Sequence, residues 1–104
     1  MSKIYQEEIK KIVKQIVEKY KPEKIYLFGS FAHGKPKENS DLDLLVIKTT
    51  KERFGRRLIE VAKLIKSFLG TDILVYTPKE WERGRKENYF LKEISKKGKL
   101  IYAK

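Results

Sequence analysis

Apolar residues recur with a helical period over residues 9–20 of the chain. They fall on one face of a helix, with lysines and glutamates on the other, which predicts an amphipathic helix that ends before Pro22. The apolar positions are Ile9, Ile12, Val13, Ile16, Val17 and Tyr20. A later stretch, Phe54 to Leu69, has the same period and is followed by Gly70, so it predicts a second helix.

Short apolar runs alternate with these helices and predict four strands. The strand segments are residues 24–28, 41–48, 72–76 and 99–102. The segment 41–48 is apolar on both faces after its first residues, which is typical of a central, buried strand. The segment Thr77-Pro78-Lys79-Glu80 has the pattern of a capping box and begins a third, more polar helix. Gly84 is a weak point in that helix, and Gly98 ends the region.

This alternation of helices and strands predicts an α/β protein with a two-layer sandwich. A chain of 104 residues suffices for one domain with a modest core, so we expect a single domain over residues 1–104. The absence of cysteine excludes disulfides and thiolate metal sites. No apolar run approaches the ~20 residues that span a bilayer, and the N-terminus lacks a signal-peptide core, so we expect a cytoplasmic protein without membrane contact.

The formal net charge of +11 has two interpretations. One is a polyanionic partner such as RNA, DNA or a nucleotide, and the other is a surface rich in Lys and Glu of the kind found in proteins from hot environments. The basic residues are spread along the whole chain, which favours the second interpretation and makes direct nucleic-acid binding the less favoured hypothesis. One local group is the better candidate for contact with an anion or an acidic partner surface: Lys48, Lys51, Arg53, Arg56 and Arg57.

The pattern with the clearest chemical meaning is Gly29-Ser30, ten intervening residues, and then Asp41-Leu42-Asp43. Residues i and i+2 of a strand point to the same face, so Asp41 and Asp43 place two like charges together on an apolar strand. Such a pair repels unless a cation lies between them, and Mg²⁺ binds one or two carboxylates together with water and substrate phosphates. Asp72 opens the next apolar run and joins the pair if the two strands are neighbours. Two metal ions held in this way serve in-line displacement at phosphorus.

Small and polar residues around this pattern are candidates for nucleotide contacts. Gly29 has no β-carbon, so the backbone can approach a ligand closely, and Ser30 adds a hydroxyl group where backbone N–H groups can form an anion nest. The alternative is an ordinary strand-to-helix turn, continued by a brief helix over residues 31–33. Ser40 is a candidate to orient Asp41 by a hydrogen bond, and a plain turn serine is the alternative. His33 is a candidate phosphate contact or an exposed loop residue.

With Gly29-Ser30, Asp41-x-Asp43 and Asp72 in these positions, the sequence resembles the minimal nucleotidyltransferases of the DNA polymerase β superfamily. The resemblance covers nearly the whole chain, from the strand before Gly29 to the last strand. It implies a mixed β-sheet backed by helices, two Mg²⁺ ions and ATP as the substrate. By position, Asp41 and Asp43 would bind both metal ions, and Asp72 would bind the catalytic ion and help to deprotonate the acceptor hydroxyl. The residues implied to bind the nucleotide are Gly29, Ser30 and Ser40.

The resemblance also implies a partner. Minimal nucleotidyltransferases are commonly the antitoxin of a toxin–antitoxin pair whose toxin is a helical HEPN-domain ribonuclease. We therefore expect transfer of AMP from ATP to a hydroxyl of that toxin, in particular a tyrosine hydroxyl. Two alternatives stay open, namely an antitoxin that neutralises its partner by binding alone and a nucleotidyltransferase that acts on a small molecule or RNA.

Overall fold

The computed structural model describes residues 2–34, 36–37 and 39–104. Its strands form one mixed sheet in the order β3-β2-β1-β4, in which β2 is parallel to β3 and antiparallel to β1, and β4 is antiparallel to β1. The elements in chain order are α1 (Lys3–Tyr20), β1 (Lys24–Phe28), a 3₁₀-helix (Ser30–His33), β2 (Leu42–Ile47), α2 (Phe54–Ala62), β3 (Thr71–Tyr76), α3 (Pro78–Glu87), α4 (Tyr89–Lys97) and β4 (Lys99–Ala103).

Helix α1 forms where the apolar period predicts it. The Ser2 hydroxyl accepts a hydrogen bond from the backbone N–H of Tyr5 at 3.4 Å, and the helix ends at Lys21, which has a left-handed backbone with φ 54°. Pro22 follows and cannot donate the next helical hydrogen bond. No helix in the described part of the chain has the length and apolarity that crossing a membrane requires.

Both faces of the sheet are covered by helices. Successive residues of a strand point to opposite faces, so Leu44 packs with α1 and α2 while Leu45 packs with α3 and α4. On the second face, Trp81 of α3 and Leu91 of α4 lie in the core. The predicted α/β class, the mixed sheet and the buried central strand β2 are confirmed. The layering differs from the expected two layers, because β2 is apolar on both faces and needs a helical cover on each.

The second helix is shorter than its sequence pattern predicts. It ends at Ala62, and residues 63–70 form no helix or strand. The side chain of Gln15 on α1 donates to the Lys66 carbonyl at 3.2 Å and accepts from the Lys66 N–H at 3.0 Å. A side chain from another element therefore satisfies backbone groups that a longer helix would have paired. The predicted end of α2 at Leu69 is wrong, and Gly70 does not stop a helix.

The predicted third helix is two helices. The capping box is confirmed, since the Thr77 hydroxyl accepts from the Glu80 N–H at 3.2 Å and the Glu80 carboxylate accepts from the Thr77 N–H at 2.8 Å. The break occurs at Asn88, whose side chain accepts a hydrogen bond from the Leu91 N–H at 3.0 Å and so begins α4. Gly84 is a packing position, because a β-carbon there would overlap the Leu91 side chain.

Arg57 is buried and bonded within the fold. Its guanidinium donates two hydrogen bonds to the Glu80 carboxylate, at 2.7 and 3.3 Å, and others to the carbonyls of Glu52 and Val75, at 2.8 and 3.3 Å. These bonds tie α2 to β3 and to the start of α3. The prediction that Arg57 belongs to an anion-binding group is therefore wrong, since the side chain is buried and its guanidinium is bonded to groups inside the protein.

Glu80→Gln should lower the free energy of unfolding at pH 7 by about 1–2 kcal/mol, because it removes the negative charge that pairs with the buried Arg57 guanidinium. The effect stays modest because the Glu80 carboxylate is half-exposed to solvent. Hydrogen bonds from Arg57 hold the pKa of Glu80 below its usual 4.5. A carboxylate whose pKa is lowered in the folded state stabilises the protein at pH values above its usual pKa. This stabilisation is lost as the pH falls from the usual pKa through the lowered one. Urea unfolding at pH 7 and pH 3 should show the difference from the wild type shrinking at the lower pH.

Glu87→Gln is the matched control for this prediction. Glu87 lies on the same helix and pairs with Arg83 at 3.0 Å, but both side chains are exposed. Exposed pairs contribute little, so we expect a change below about 0.5 kcal/mol. A loss in Glu80→Gln that is as large at pH 3 as at pH 7 would contradict the role given to the Arg57–Glu80 charge pair.

Candidate active site

The three aspartates of the sequence meet at one edge of the sheet. Asp41 precedes β2, and Asp43 and Asp72 are direct partners across the parallel pair β2–β3. Asp43 also opposes Phe28, the last residue of β1, on the other side. The expected proximity of the two aspartate-bearing strands is confirmed, and Gly29 follows β1 at the same edge.

The charges at this edge are close enough to affect one another. Asp43 is half-buried, whereas Asp41 and Asp72 are exposed. Burial raises the pKa of Asp43, and the negative charges of Asp72 and Asp41 raise that pKa further. The protein thus keeps a partly desolvated carboxylate next to two others, at an energetic cost that a cation placed among them would offset.

Two glycines make room for two of these carboxylates. Gly29 has φ 72° and ψ −156°, a conformation that essentially only glycine adopts, and a β-carbon on it would overlap Asp43 Oδ2. A β-carbon on Gly70 would overlap Asp41 Oδ1 in the same way. The Gly70 carbonyl also accepts the backbone N–H of Leu42 at 2.8 Å. Gly70 is a site residue that sequence reasoning missed, since the sequence indicated only that it ends a helix.

The carboxylates of Asp41 and Asp43 rest against different glycines, on the β3 and β1 sides of β2 respectively. Accordingly, within residues 2–34, 36–37 and 39–104, no three or more His, Cys, Asp or Glu side chains converge closely enough to hold a metal ion. The charges of Asp41 and Asp72 can still raise the pKa of Asp43, because charges interact over longer distances than metal–ligand bonds span. The donor chemistry is that of a hard divalent cation, since every oxygen in the set belongs to a carboxylate.

The other predicted residues take distinct places. The brief helix expected over residues 31–33 is a 3₁₀-helix that begins at Ser30, just after Gly29. The exposed His33 ends it. Ser40 forms a reciprocal turn with Lys37: its hydroxyl accepts the Lys37 N–H at 2.8 Å, and its N–H donates to the Lys37 carbonyl at 3.0 Å. The structure therefore shows Ser40 in the turn role that the sequence left as the alternative, and it shows no hydrogen bond from Ser40 to Asp41.

A mixed sheet with a Gly-Ser turn after one strand and aspartates at the start of the next two has the architecture of a nucleotidyltransferase. Residues 7–104 match the protein-family model described as "Polymerase beta, Nucleotidyltransferase". Because the match covers nearly all of the chain, the protein belongs to the polymerase β nucleotidyltransferase family. The predicted resemblance is confirmed, and the predicted enzyme class, a nucleotidyltransferase, is confirmed at the level of the family.

Two known proteins add detail. A "putative protein adenylyltransferase" of Methanocaldococcus jannaschii is 46% identical over 43 residues, which are 38% of this chain and 50% of that protein. The match thus spans about half the length of that relative. A crystal structure of a "putative nucleotidyltransferase" from Sulfolobus solfataricus superposes with a TM-score of 0.68 over 94% of this chain and 79% of that one, at 23% identity. This second similarity confirms the nucleotidyltransferase fold.

Proposed function

We propose that the protein transfers AMP from ATP to a tyrosine hydroxyl of a partner protein, and that it acts in this way as the antitoxin of a HEPN-type ribonuclease toxin. The observation that carries the proposal is the register that opposes Asp43 to Asp72 beside the Gly29 turn. Membership of the nucleotidyltransferase family and the name of the Methanocaldococcus relative support the reaction. The toxin partner rests on the resemblance of the sequence to the minimal nucleotidyltransferases.

Three carboxylates would hold two Mg²⁺ ions in this proposal: Asp41, Asp43 and Asp72. The raised pKa of Asp43 supports the assignment, because burial and then the negative charges of Asp72 and Asp41 disfavour its ionised form, which a bound cation would stabilise. When bound, Mg²⁺ would neutralise charge on the phosphates and make the attacking hydroxyl easier to deprotonate. Asp41 and Asp72 are exposed, so substrate phosphates can complete the coordination of a metal ion there.

The residues of the chain position the reactants. Gly29 lets the triphosphate approach the backbone, and the Ser30 hydroxyl donates to a phosphate oxygen at the start of the 3₁₀-helix. The tyrosine oxygen attacks the α-phosphorus, the bond from that phosphorus to the bridging oxygen breaks, and pyrophosphate leaves with the electron pair. The phenolic proton passes to the Asp72 carboxylate. Catalysis of this kind depends on positioning and charge stabilisation more than on covalent chemistry.

Intact-mass spectrometry tests the proposal. The protein encoded next to this chain, which the proposal expects to be a HEPN-domain protein, is incubated with the chain, ATP and Mg²⁺. An Asp41→Asn, Asp43→Asn double variant serves as the control. We expect the partner to gain mass in whole AMP units with the wild type and none with the double variant, and peptide mapping to place the AMP on tyrosine. A stable complex without any mass gain would contradict the transfer and favour neutralisation by binding alone.

A further inference from the structure

The segment from Lys63 to Gly70 exposes a large aromatic residue at the candidate active site. Phe68 is 66% exposed, so its ring contributes little to the core. The backbone that carries this ring is nevertheless firmly bonded to α1. The Glu8 carboxylate accepts a hydrogen bond from the Ser67 hydroxyl, which in turn accepts one from the Leu69 N–H at 3.0 Å. The Gln15 side chain makes two more hydrogen bonds, to the backbone N–H and carbonyl of Lys66. The fold therefore holds an apolar side chain in water at a defined place.

That place is a cleft that contains one of the three aspartates. The cleft has a volume of about 400 Å³, and its lining includes the aromatic residues Tyr5 and Phe68 as well as Asp41 and Gly70. A second cleft, of about 310 Å³, is lined by other residues of the same segment and by Asp72. Phe68 thus belongs to a short stretch of chain that borders two of the three carboxylates.

The two sides of β2 differ in what they offer a substrate. Asp43 contacts Gly29 on the β1 side, where the Gly-Ser turn is proposed to hold the triphosphate, and Asp41 contacts Gly70 on the β3 side. In-line displacement places the attacking and leaving oxygens on opposite sides of the phosphorus. With pyrophosphate leaving on the Gly29 side, the acceptor hydroxyl approaches from the Gly70 side, where the aromatic cleft lies.

We propose that the cleft between Tyr5 and Phe68 receives the tyrosine-bearing segment of the acceptor protein. The inference rests on the proposed function and names the surface by which its second substrate docks. A phenol ring packs well against aromatic side chains. Its polar hydroxyl would face Asp41 and the edge of the sheet where the three aspartates lie. Aromatic residues, phenylalanine among them, are enriched in the cores of protein interfaces, where a few residues carry most of the binding energy.

Steady-state transfer kinetics of Phe68→Ser test the inference. We expect the KM for the HEPN-domain protein to rise about tenfold or more, with the KM for ATP and kcat near wild-type values. Tyr89→Ser is the matched control, because Tyr89 is 78% exposed on α4 and lies outside the cleft, so the same change should leave all three constants unaltered. Phe68 is largely exposed, and circular dichroism should confirm that the variant stays folded.

The outcomes separate this inference from the proposed function. Normal constants in Phe68→Ser, or a rise in the KM for ATP alone, would overturn the docking cleft and leave the transfer reaction intact. If the wild type transfers no AMP, the proposed function fails. The cleft is then tested by calorimetric binding of the same HEPN-domain protein, where a Kd weakened about tenfold in Phe68→Ser supports docking and an unchanged Kd overturns it.

Discussion

Asp43→Asn is expected to reduce AMP transfer by at least about a hundredfold while the protein stays folded. Asp43 is the central carboxylate of the site, opposite Asp72 in the sheet and in contact with Gly29. Asparagine has nearly the same shape, but it carries no negative charge with which to hold a cation. Burial and two neighbouring charges disfavour the ionised form of Asp43. The neutral amide should therefore leave the free energy of unfolding at pH 7 no lower than that of the wild type.

Two measurements on the same protein samples check this expectation. Transfer is followed with ATP labelled at the α-phosphate, and unfolding is followed in urea. Glu18→Gln is a suitable control, because it removes an exposed carboxylate of α1 that is not part of the site. Its ion pair with Lys14 is loose, with 3.8 Å between the charged groups. Full activity of Asp43→Asn with the normal dependence on Mg²⁺ would refute the assignment of the three aspartates. Lost activity together with marked destabilisation would indicate a structural role instead.

Gly29→Ala is the change at the nucleotide turn with the largest expected effect. Alanine in the backbone conformation of Gly29 is strained by roughly 1–3 kcal/mol. Its β-carbon would also meet the Asp43 carboxylate, which would have to move. Small displacements of reacting groups are costly, so we expect transfer to fall about a hundredfold in addition to the loss of stability.

Gly34→Ala is the control that separates strain from site disruption. Gly34 also has a positive φ, 69° with ψ 13°, but a β-carbon there would meet no atom within 4 Å among the described residues. Its substitution should lower the free energy of unfolding by about 1–2 kcal/mol and leave transfer near the wild-type rate. Equal losses of transfer in the two variants would show that backbone strain at this turn, and not the contact between Gly29 and Asp43, limits the reaction.

The elements that were predicted well are those whose signals are local. The apolar period of α1, the capping box of Thr77 and Glu80, and the doubly apolar run of β2 each lie within a few turns or one strand, and each forms as expected. The end of α2 was missed because the segment after it is bonded by Gln15, which is 51 positions from its hydrogen-bonding partner Lys66. The break at Asn88 was missed although a local cap marks it, since residues 82–88 contain no apolar residue whose period could show where one helix ends and the next begins.

The candidate site divides in the same way. The identity of its carboxylates and the Gly-Ser turn followed from spacing, and the roles given to Asp41, Asp43 and Asp72 stay predictions for the experiments above. The contact of Gly70 with Asp41 and the exposure of Phe68 had no sequence signal strong enough to predict them. Both depend on how the segment before β3 packs against α1, which is a property of the assembled fold.

By itself, the sequence determined the α/β class, the central position of β2 and the family to which the chain belongs. These follow from apolar periods and from a motif that occupies a short span of chain. Only the tertiary structure decided that Asp43 opposes Asp72 and that Arg57 is buried against Glu80. The physical reason is that strand register and ion pairs join segments that are far apart in the chain. They form only when the helices pack on both faces of the sheet, and residues from the whole chain contribute to that packing.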